Sequence, residues 1–433
     1  MDRRSRKWKE LGNNAMKLKV DLGQAVLALT DALDLVGVDS FQHGKRVGFM
    51  VHQGANLRPW DLGAEQLFNL GMLHDLGVSS TLTHHYLVQQ LAWEGAEEHA
   101  RVGFDRLRRF APLAELAPYV LYHHTPWERF KDLEVAPEVA ILANWVFLCD
   151  RADVMAAGFY QKNVLEQKPN ILERIKTLSG SYFAPELVAM FCGLAEHDAF
   201  WLAQEPRHLN RFLEAQSKLR EPLGLGFAQV LQLARIFAEI VDTKSRFTHE
   251  HSVGVAQLSR YLGQNFGLDE ETCDKLEIAG LLHDLGKLQV PDEILDKPGP
   301  LDEIERARIN HHSFETFQIL SAITGLEDIA RWASLHHESP DGTGYPFGEQ
   351  GTQLPLEARI IAVADVFQAL AQNRPYRKPL APMAIAGILA DFARAQKLDP
   401  ELALWCADHA EDCQQVALWK GPSDLAAETA ARL

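Results

Sequence analysis

The sequence predicts an all-α fold built from two tandem helical modules. Three observations carry that expectation. Apolar residues recur at three- and four-residue spacing, no stretch sustains apolar/polar alternation between hairpin turns, and the second half of the chain repeats the first. At 433 residues the chain exceeds the usual single-domain size, and either half is long enough to bury its own core.

The helical period is plainest over residues 255–262, 276–285 and 356–371. Breakers follow, as in Asp296-Lys297-Pro298-Gly299-Pro300 and Asp341-Gly342-Thr343-Gly344-Tyr345-Pro346. The repeat is carried by chemistry. His251, His283-Asp284, His312, His336-His337 and Asp365 are separated by 32, 29, 24 and 28 residues, counting the last gap from His337. Counted the same way, His43, His74-Asp75, His99, His123-His124 and Asp150 are separated by 31, 25, 24 and 26. Local sequence agrees: Leu73-His74-Asp75-Leu76-Gly77 mirrors Leu282-His283-Asp284-Leu285-Gly286, and Ala184-Pro185-Glu186-Leu187 mirrors Asp399-Pro400-Glu401-Leu402. The expected division is a basic segment over 1–19, one module over 20–205, a connector over 206–225, a second module over 226–405 and a tail over 406–433.

Composition narrows the function. A formal net charge of −16 argues against a partner such as polymeric nucleic acid, although metal ions can still draw a small anionic substrate. The basic start, Arg3-Arg4-Ser5-Arg6-Lys7, precedes no apolar h-region, and no apolar run is long enough to span a bilayer. Five scattered cysteines read as reduced, buried thiols, and the expected location is cytoplasmic with no membrane partner. Paired helical modules are compatible with a homodimer, for which the sequence specifies no interface.

A lone histidine on a helix is usually a satisfied core or surface residue. Here an adjacent His–Asp, an adjacent His–His, and further His and Asp on separate helices recur together, and buried imidazoles and carboxylates are costly unless paired or metal-bound. Such ligands suit iron, manganese or zinc. Seven candidates are too many for one ion with open positions, and they suit two ions bridged by a carboxylate. Two ions about 3.5–4 Å apart can activate a bridging water and stabilise the leaving oxygen of a phosphate ester.

The second half resembles the HD-GYP family. The resemblance is carried by His251-Ser252, His283-Asp284-Leu285-Gly286-Lys287, the run from Val290 to Gly299, His336-His337-Glu338, Asp341-Gly342-Thr343-Gly344-Tyr345-Pro346, the run from Arg359 to Phe367, and Asn373-Arg374-Pro375-Tyr376-Arg377. It implies two tandem HD-type helical bundles, the C-terminal one an HD-GYP domain. It also implies a metal-dependent phosphodiesterase that opens a cyclic dinucleotide through a bridging hydroxide. Cyclic di-GMP, giving linear pGpG or GMP, is the first expectation, and 3′,3′-cyclic GMP-AMP the alternative. A catalytically weak cyclic-dinucleotide receptor is the reading from another class.

By the same resemblance His251, His283, Asp284 and Asp365 would hold one divalent ion. Asp284 would bridge to a second held by His312, His336 and His337. Iron or manganese is expected first, with nickel, cobalt, magnesium or zinc as alternatives. Lys287 would serve the scissile phosphate as stabiliser or proton donor, Gly342, Gly344 and Tyr345 would shape the loop over the substrate, and Arg374 and Arg377 would contact phosphate. Either arginine also reads as an ordinary surface charge, and Lys287 as a helix-end cap.

Four positions depart from the family pattern. Phe247 stands where trinuclear members carry a ligating Glu, which favours two metals. Thr316 replaces a glycine. Ser339 and Gln368 replace residues whose loss puts substrate preference in question. The first half resembles a plain HD domain. Val78 stands in the place of Lys287, and Thr125-Pro126-Trp127-Glu128 follows His124 with no Gly-Tyr-Pro. Its candidate site, His43, His74, Asp75, His99, His123, His124 and Asp150, reads three ways: a regulatory metal site, a second hydrolase, or a scaffold without metal.

Overall fold

The computed structural model describes residues 19–36, 42–89, 95–220, 222–244, 251–373 and 377–419. It is all-helical, as expected, with 22 α-helices among the described residues. The only strands there are two residues long, Val20–Asp21 and Gly224–Leu225. The chain divides into two compact units, one over Asp21–Leu225 and one from Gly226 onward that also takes in Lys19 and Val20.

The first unit runs α1 (Leu22–Asp34), α2 (His43–Gln53), α3 (Ala64–Leu73), α4 (Thr81–Gln89), α5 (Ala96–Leu107), α6 (Ala117–Leu121), α7 (Pro137–Ala156), α8 (Val164–Thr177), α9 (Pro185–Ala195), α10 (Asp198–Leu202) and α11 (Pro206–Leu219). Helix starts follow local chemistry. The Asp21 carboxylate accepts the Gln24 amide at 3.0 Å, and α7, α9 and α11 each begin at a proline, whose missing N–H costs nothing there. Helix α7 is buried on nearly every side, and its fully buried Trp145 and Phe147 pack against Phe191 and Phe183.

The second unit runs α12 (Phe227–Lys244), α13 (His251–Asn265), α14 (Glu270–Leu282), α15 (Asp292–Leu295), α16 (Glu303–Asn310), α17 (His312–Ser321), α18 (Glu327–Ser334), α19 (Leu356–Ala371), α20 (Pro382–Arg394), α21 (Pro400–Asp408) and α22 (Ala410–Ala417). Asp269 caps α14 by accepting the Thr272 amide at 2.8 Å, and Glu270 and Glu271 complement the helix dipole. Helix α14 ends at Leu282, short of the sequence expectation. Leu285 keeps the apolar spacing and is buried, but it opens a 3-10 turn over Leu285–Gln289.

A pair of small residues sets the frame of each unit. A Cβ on Gly71 of α3 would lie 2.6 Å from the Gly48 Cα of α2, and one on Gly280 of α14 would lie 2.7 Å from the Ala256 Cα of α13. Only glycine permits helices to cross that closely. The two crossings bring His43 toward His74 and His251 toward His283, with ring centroids 5.2 and 5.4 Å apart.

Two stretches differ from their expected character. The connector carries α11, whose Leu209 is fully buried and whose Phe212 packs edge-on against Phe49 and Phe68. The tail continues as the end of α21 and as α22, which packs on α13 and buries Cys406 and Cys413. All five cysteines are free thiols.

Candidate metal centres

In the second unit each ligand candidate sits at a helix end or on the buried core helix. His251 opens α13, His283-Asp284 follow α14, His312 opens α17, His336-His337 follow α18, and Asp365 lies in α19. The fold brings all seven together. Asp284 lies between the two groups. Its Oδ2 is 3.3 Å from His283 Nε2 and 3.8 Å from His251 Nε2, and its Oδ1 is 3.4 Å from His312 Nε2 and 3.9 Å from His336 Nε2. His251 Nε2 is also 3.2 Å from Asp365 Oδ1, and the ligand atoms of His312, His336 and His337 lie within 4.8 Å of one another. All are buried except His337 and Asp365, which are half-buried.

Hydrogen bonds fix which ring nitrogens face the cluster. His283, His312 and His336 each present Nδ1 to the carbonyl three residues earlier, at 2.8, 2.6 and 2.6 Å. The proton therefore belongs on Nδ1, and Nε2 keeps a lone pair aimed inward. Burial drives the imidazolium form down, to about 3 for His312 and well below the ordinary range for His336. Burial also opposes the carboxylate of Asp284, but His283 and Lys287 outweigh it and hold that group well below the usual range.

The result is a cluster of buried ring nitrogens around an ionised carboxylate; burial opposes the imidazolium of His283 too, but Asp284 outweighs it and raises that ring. His312 Nε2 and His336 Nε2 face each other at 3.3 Å, with the Ser313 hydroxyl 3.2 Å from the former. His283 Nε2 and Asp284 Oδ1 are buried with no hydrogen-bond partner. Divalent cations among these atoms would satisfy every one of them, so the residues fit the metal group that their chemistry implies.

Lys287 donates to Asp284 Oδ2 at 2.6 Å, beside the cluster. The Gly-Tyr-Pro loop closes over the same place. The Tyr345 ring lies 4.9 Å from that of His337 at a tilt of 36°, and a Cβ on Gly344 would lie 2.4 Å from the Glu338 Cα. Gly342 turns with a φ of +75°, the left-handed region that glycine favours. Arg377 donates to the carbonyls of Leu370 at 3.1 Å and Ala369 at 2.6 Å in the last turn of α19, where Leu370 also accepts the Leu380 amide at 3.2 Å. Arg374 and Phe247 lie outside the described residues. Gln368 is buried against Gly254 of α13 and the Ala417 carbonyl, so its substitution belongs to helix packing. Thr316 takes over a bonding role, accepting the Gly286 amide at 2.9 Å and donating to the His283 carbonyl at 3.2 Å.

The first unit repeats the skeleton. His74 and His123 present Nδ1 to the Gly71 and Val120 carbonyls at 2.8 and 2.6 Å. Asp75 Oδ1 lies 3.3 Å from His99 Nε2 and 3.6 Å from His123 Nε2. His43 Nε2 is 3.5 Å from Asp150 Oδ1, and His124 Nδ1 is 3.9 Å from Asp150 Oδ2. All seven candidates therefore converge here too. Val78, in the place of Lys287, is buried.

Several residues have a part in these sites that their sequence does not announce. Arg151 binds Asp150, Arg46 and Asp153 flank His43, and Glu338 anchors the Gly-Tyr-Pro loop. Asp242 of α12 accepts the Ser252 hydroxyl at 2.8 Å, and burial lifts its carboxyl to about 7. Aligning the two repeats would have exposed Arg151 opposite Val366, and Arg46 and Asp153 opposite Gly254 and Gln368. Asp242 has its repeat partner in Asp34, nine residues before His43 as Asp242 is before His251, and Asp34 likewise accepts the Gly44 amide at 3.3 Å.

A helical bundle that gathers His, His-Asp and Asp around buried lone pairs is an HD domain, and the family model described as "HD domain" matches residues 235–402. Over 97% of its length the chain is 34% identical to the whole of the 3′3′-cGAMP-specific phosphodiesterase 1 of Vibrio cholerae. It is 37% identical to a cyclic di-GMP phosphodiesterase of Thermotoga maritima, over 35% of this chain and 41% of that one. A crystal structure of cyclic GMP-AMP specific phosphodiesterases in V. cholerae (V-cGAP3) superposes with a TM-score of 0.61 at 26% identity, covering 90% of this chain and 98% of that one. The chain belongs to the HD-domain cyclic-dinucleotide phosphodiesterases. No helix among the described residues is long and apolar enough to cross a membrane.

Proposed function

We propose that the chain linearises 3′,3′-cyclic GMP-AMP in its second unit. The observation that carries this is the span of the similarity. The relative named for that nucleotide matches both modules from end to end, whereas the cyclic di-GMP enzyme matches about a third of the chain. This reverses the order expected from the motifs, which are shared by enzymes for either nucleotide and so rank neither.

His251, His283, Asp284 and Asp365 would hold one divalent ion, and Asp284 with His312, His336 and His337 a second. Bound there, the ions would supply Lewis-acid charge to the phosphate and to the attacking water. The chain's own part is positional. The carbonyls of Gly280, Ile309 and Ala333 lock three imidazoles in the ligating tautomer. In the reaction a bond forms between phosphorus and the water oxygen, and the bond from phosphorus to the ring 3′-oxygen breaks. Lys287 delivers a proton to that leaving oxygen and recovers one from water. The loop from Gly342 to Tyr345 covers the nucleotide and limits access of bulk water.

Parallel assays of the purified chain with 3′,3′-cyclic GMP-AMP and cyclic di-GMP, resolved by chromatography, test the choice. We expect kcat/KM at least about tenfold higher for the mixed nucleotide, equivalent to roughly 1.4 kcal/mol in transition-state binding. Equal or reversed values would overturn it.

A further inference from the structure

The N-terminal cluster repeats the ligand types of the C-terminal one without repeating its charge balance. Three carboxylates converge there, and two already have fixed cations. Asp153 accepts from Arg46 at 2.6 and 2.9 Å and from His43 Nδ1 at 2.7 Å. Asp150 accepts from Arg151 Nε at 3.0 Å and from its terminal nitrogen at 2.8 Å, while the other arm of that guanidinium donates to the Leu87 carbonyl at 2.6 Å. Arg46 and Arg151 are both buried, so neither pair is an exposed, screened contact. In the second unit Val366 and Gly254 stand at these two positions, and Asp365 has no guanidinium beside it in sequence.

Asp75 is the remaining carboxylate, and its Oδ1 is buried without a hydrogen-bond partner. Around it, His99 Nε2 and His123 Nε2 are 3.3 Å apart, and the ligand atoms of Asp75, His99, His123 and His124 all lie within 4.8 Å of one another. His124 Nε2 and His99 Nδ1 are also buried and unpartnered. Four donors bound tetrahedrally at about 2.0–2.1 Å sit roughly 3.3–3.4 Å from one another. The 3.3 Å and 3.6 Å separations already match that figure closely.

We infer that the N-terminal module holds a single divalent transition-metal ion on Asp75, His99, His123 and His124, and that the Arg151 guanidinium stands beside Asp150 as the second positive charge. The other group, His43, His74 and Asp150, has its carboxylate already paired with Arg151, and His43 is bonded through Nδ1 to the Asp153–Arg46 pair, while His74 Nε2 stays buried and unpartnered beside it. Three imidazoles and one carboxylate suit zinc, iron or manganese. With Val78 in place of a lysine, the ion cross-links the ends of α3, α5 and α6 and performs no hydrolysis.

The test is a metal count on the full chain, loaded with zinc, desalted and measured by mass spectrometry. The C-terminal share of that count rests on the proposed function; the N-terminal share does not. Wild type should retain three equivalents and His99→Gln two. The double variant His283→Gln/His312→Gln should keep one, and loading it with cobalt(II) should give one tetrahedral absorption spectrum. Arg151→Leu, which uncovers Asp150, should raise the count to four. A His99→Gln protein with the wild-type count, or a C-terminal double variant that keeps none or two, overturns the inference. If the double variant loses no metal relative to wild type, the C-terminal reading fails instead.

Discussion

Lys287 Nζ lies 2.6 Å from Asp284 Oδ2, so the one lysine of the His–Asp motif is bonded to the carboxylate that the two candidate metal positions share. In the proposed reaction that contact would set an ammonium beside the scissile phosphate, with the lysine outside the ligand set. Lys287→Met should therefore lower kcat by about 100-fold or more, within the range for loss of a positioned proton donor. Metal content should not change. A variant that loses its metal along with its activity would make Lys287 a positioning residue for Asp284.

Asp284→Ala should abolish turnover, because Asp284 offers one carboxylate oxygen to each ligand group. It should also lower C-terminal metal content. The helices that meet at the site are joined by the Gly280 crossing and by an extensive apolar core, so the circular-dichroism spectrum should be close to wild type. Turnover at the wild-type rate by this variant would remove the second unit as the catalytic one.

The buried histidines make the metal-free chain sensitive to acid. His312 is held down to about 3 and His337 to about 4 by burial, against an ordinary 6.5. Because the folded values lie below the unfolded ones, the stabilisation from keeping these rings neutral is fully present above about pH 6.5. It is lost as pH falls toward 4 and then 3, since the unfolded chain takes up protons first. At about pH 5 each ring should cost about 2 kcal/mol of folding stability. Thermal melts of chelated protein at about pH 7.5 and about pH 5 should show a clear fall, and zinc should raise the melting temperature at the higher pH, where imidazole is free to bind, and much less at the lower. A melting temperature independent of pH over that interval would mean that these rings are not held neutral.

How far these sites could be read from sequence depends on what each residue does. The metal ligands were legible because their side chains are costly to bury and because the whole set occurs twice in one order. Gly71 and Gly280, three residues before each His–Asp pair, make the same helix crossing possible but carry no chemistry that spacing alone would flag. Arg151 stands out in the sequence only when the two repeats are aligned. Adjacent residues on a helix usually point apart, and only the structure shows its guanidinium turned back onto Asp150. Helix α11 begins at Pro206 and exposes most of its length, which is why its stretch read as a connector. Arg377 carries a plausible phosphate-binding fork, and the structure adds bonds from its guanidinium to the Leu370 and Ala369 carbonyls of α19, which no spacing in the sequence announces.

Glu338 follows the His–His pair and holds the Gly-Tyr-Pro loop from beneath. Its Oε1 accepts the Phe347 amide at 2.7 Å and the Gly348 amide at 3.0 Å, while the missing side chain of Gly344 lets the loop pass against the Glu338 backbone. Each charge-assisted bond of this kind is worth about 1.5–3 kcal/mol, enough to decide whether the loop stays closed. Glu338→Ala should raise KM about tenfold or more, with metal content unchanged, because the ligands do not depend on the loop. Glu338→Gln keeps an acceptor oxygen in the same place and should recover most of the loss, which a general fault in folding would not allow. Equal damage from the alanine and glutamine variants would mean that the carboxylate charge matters for a reason other than anchoring the loop.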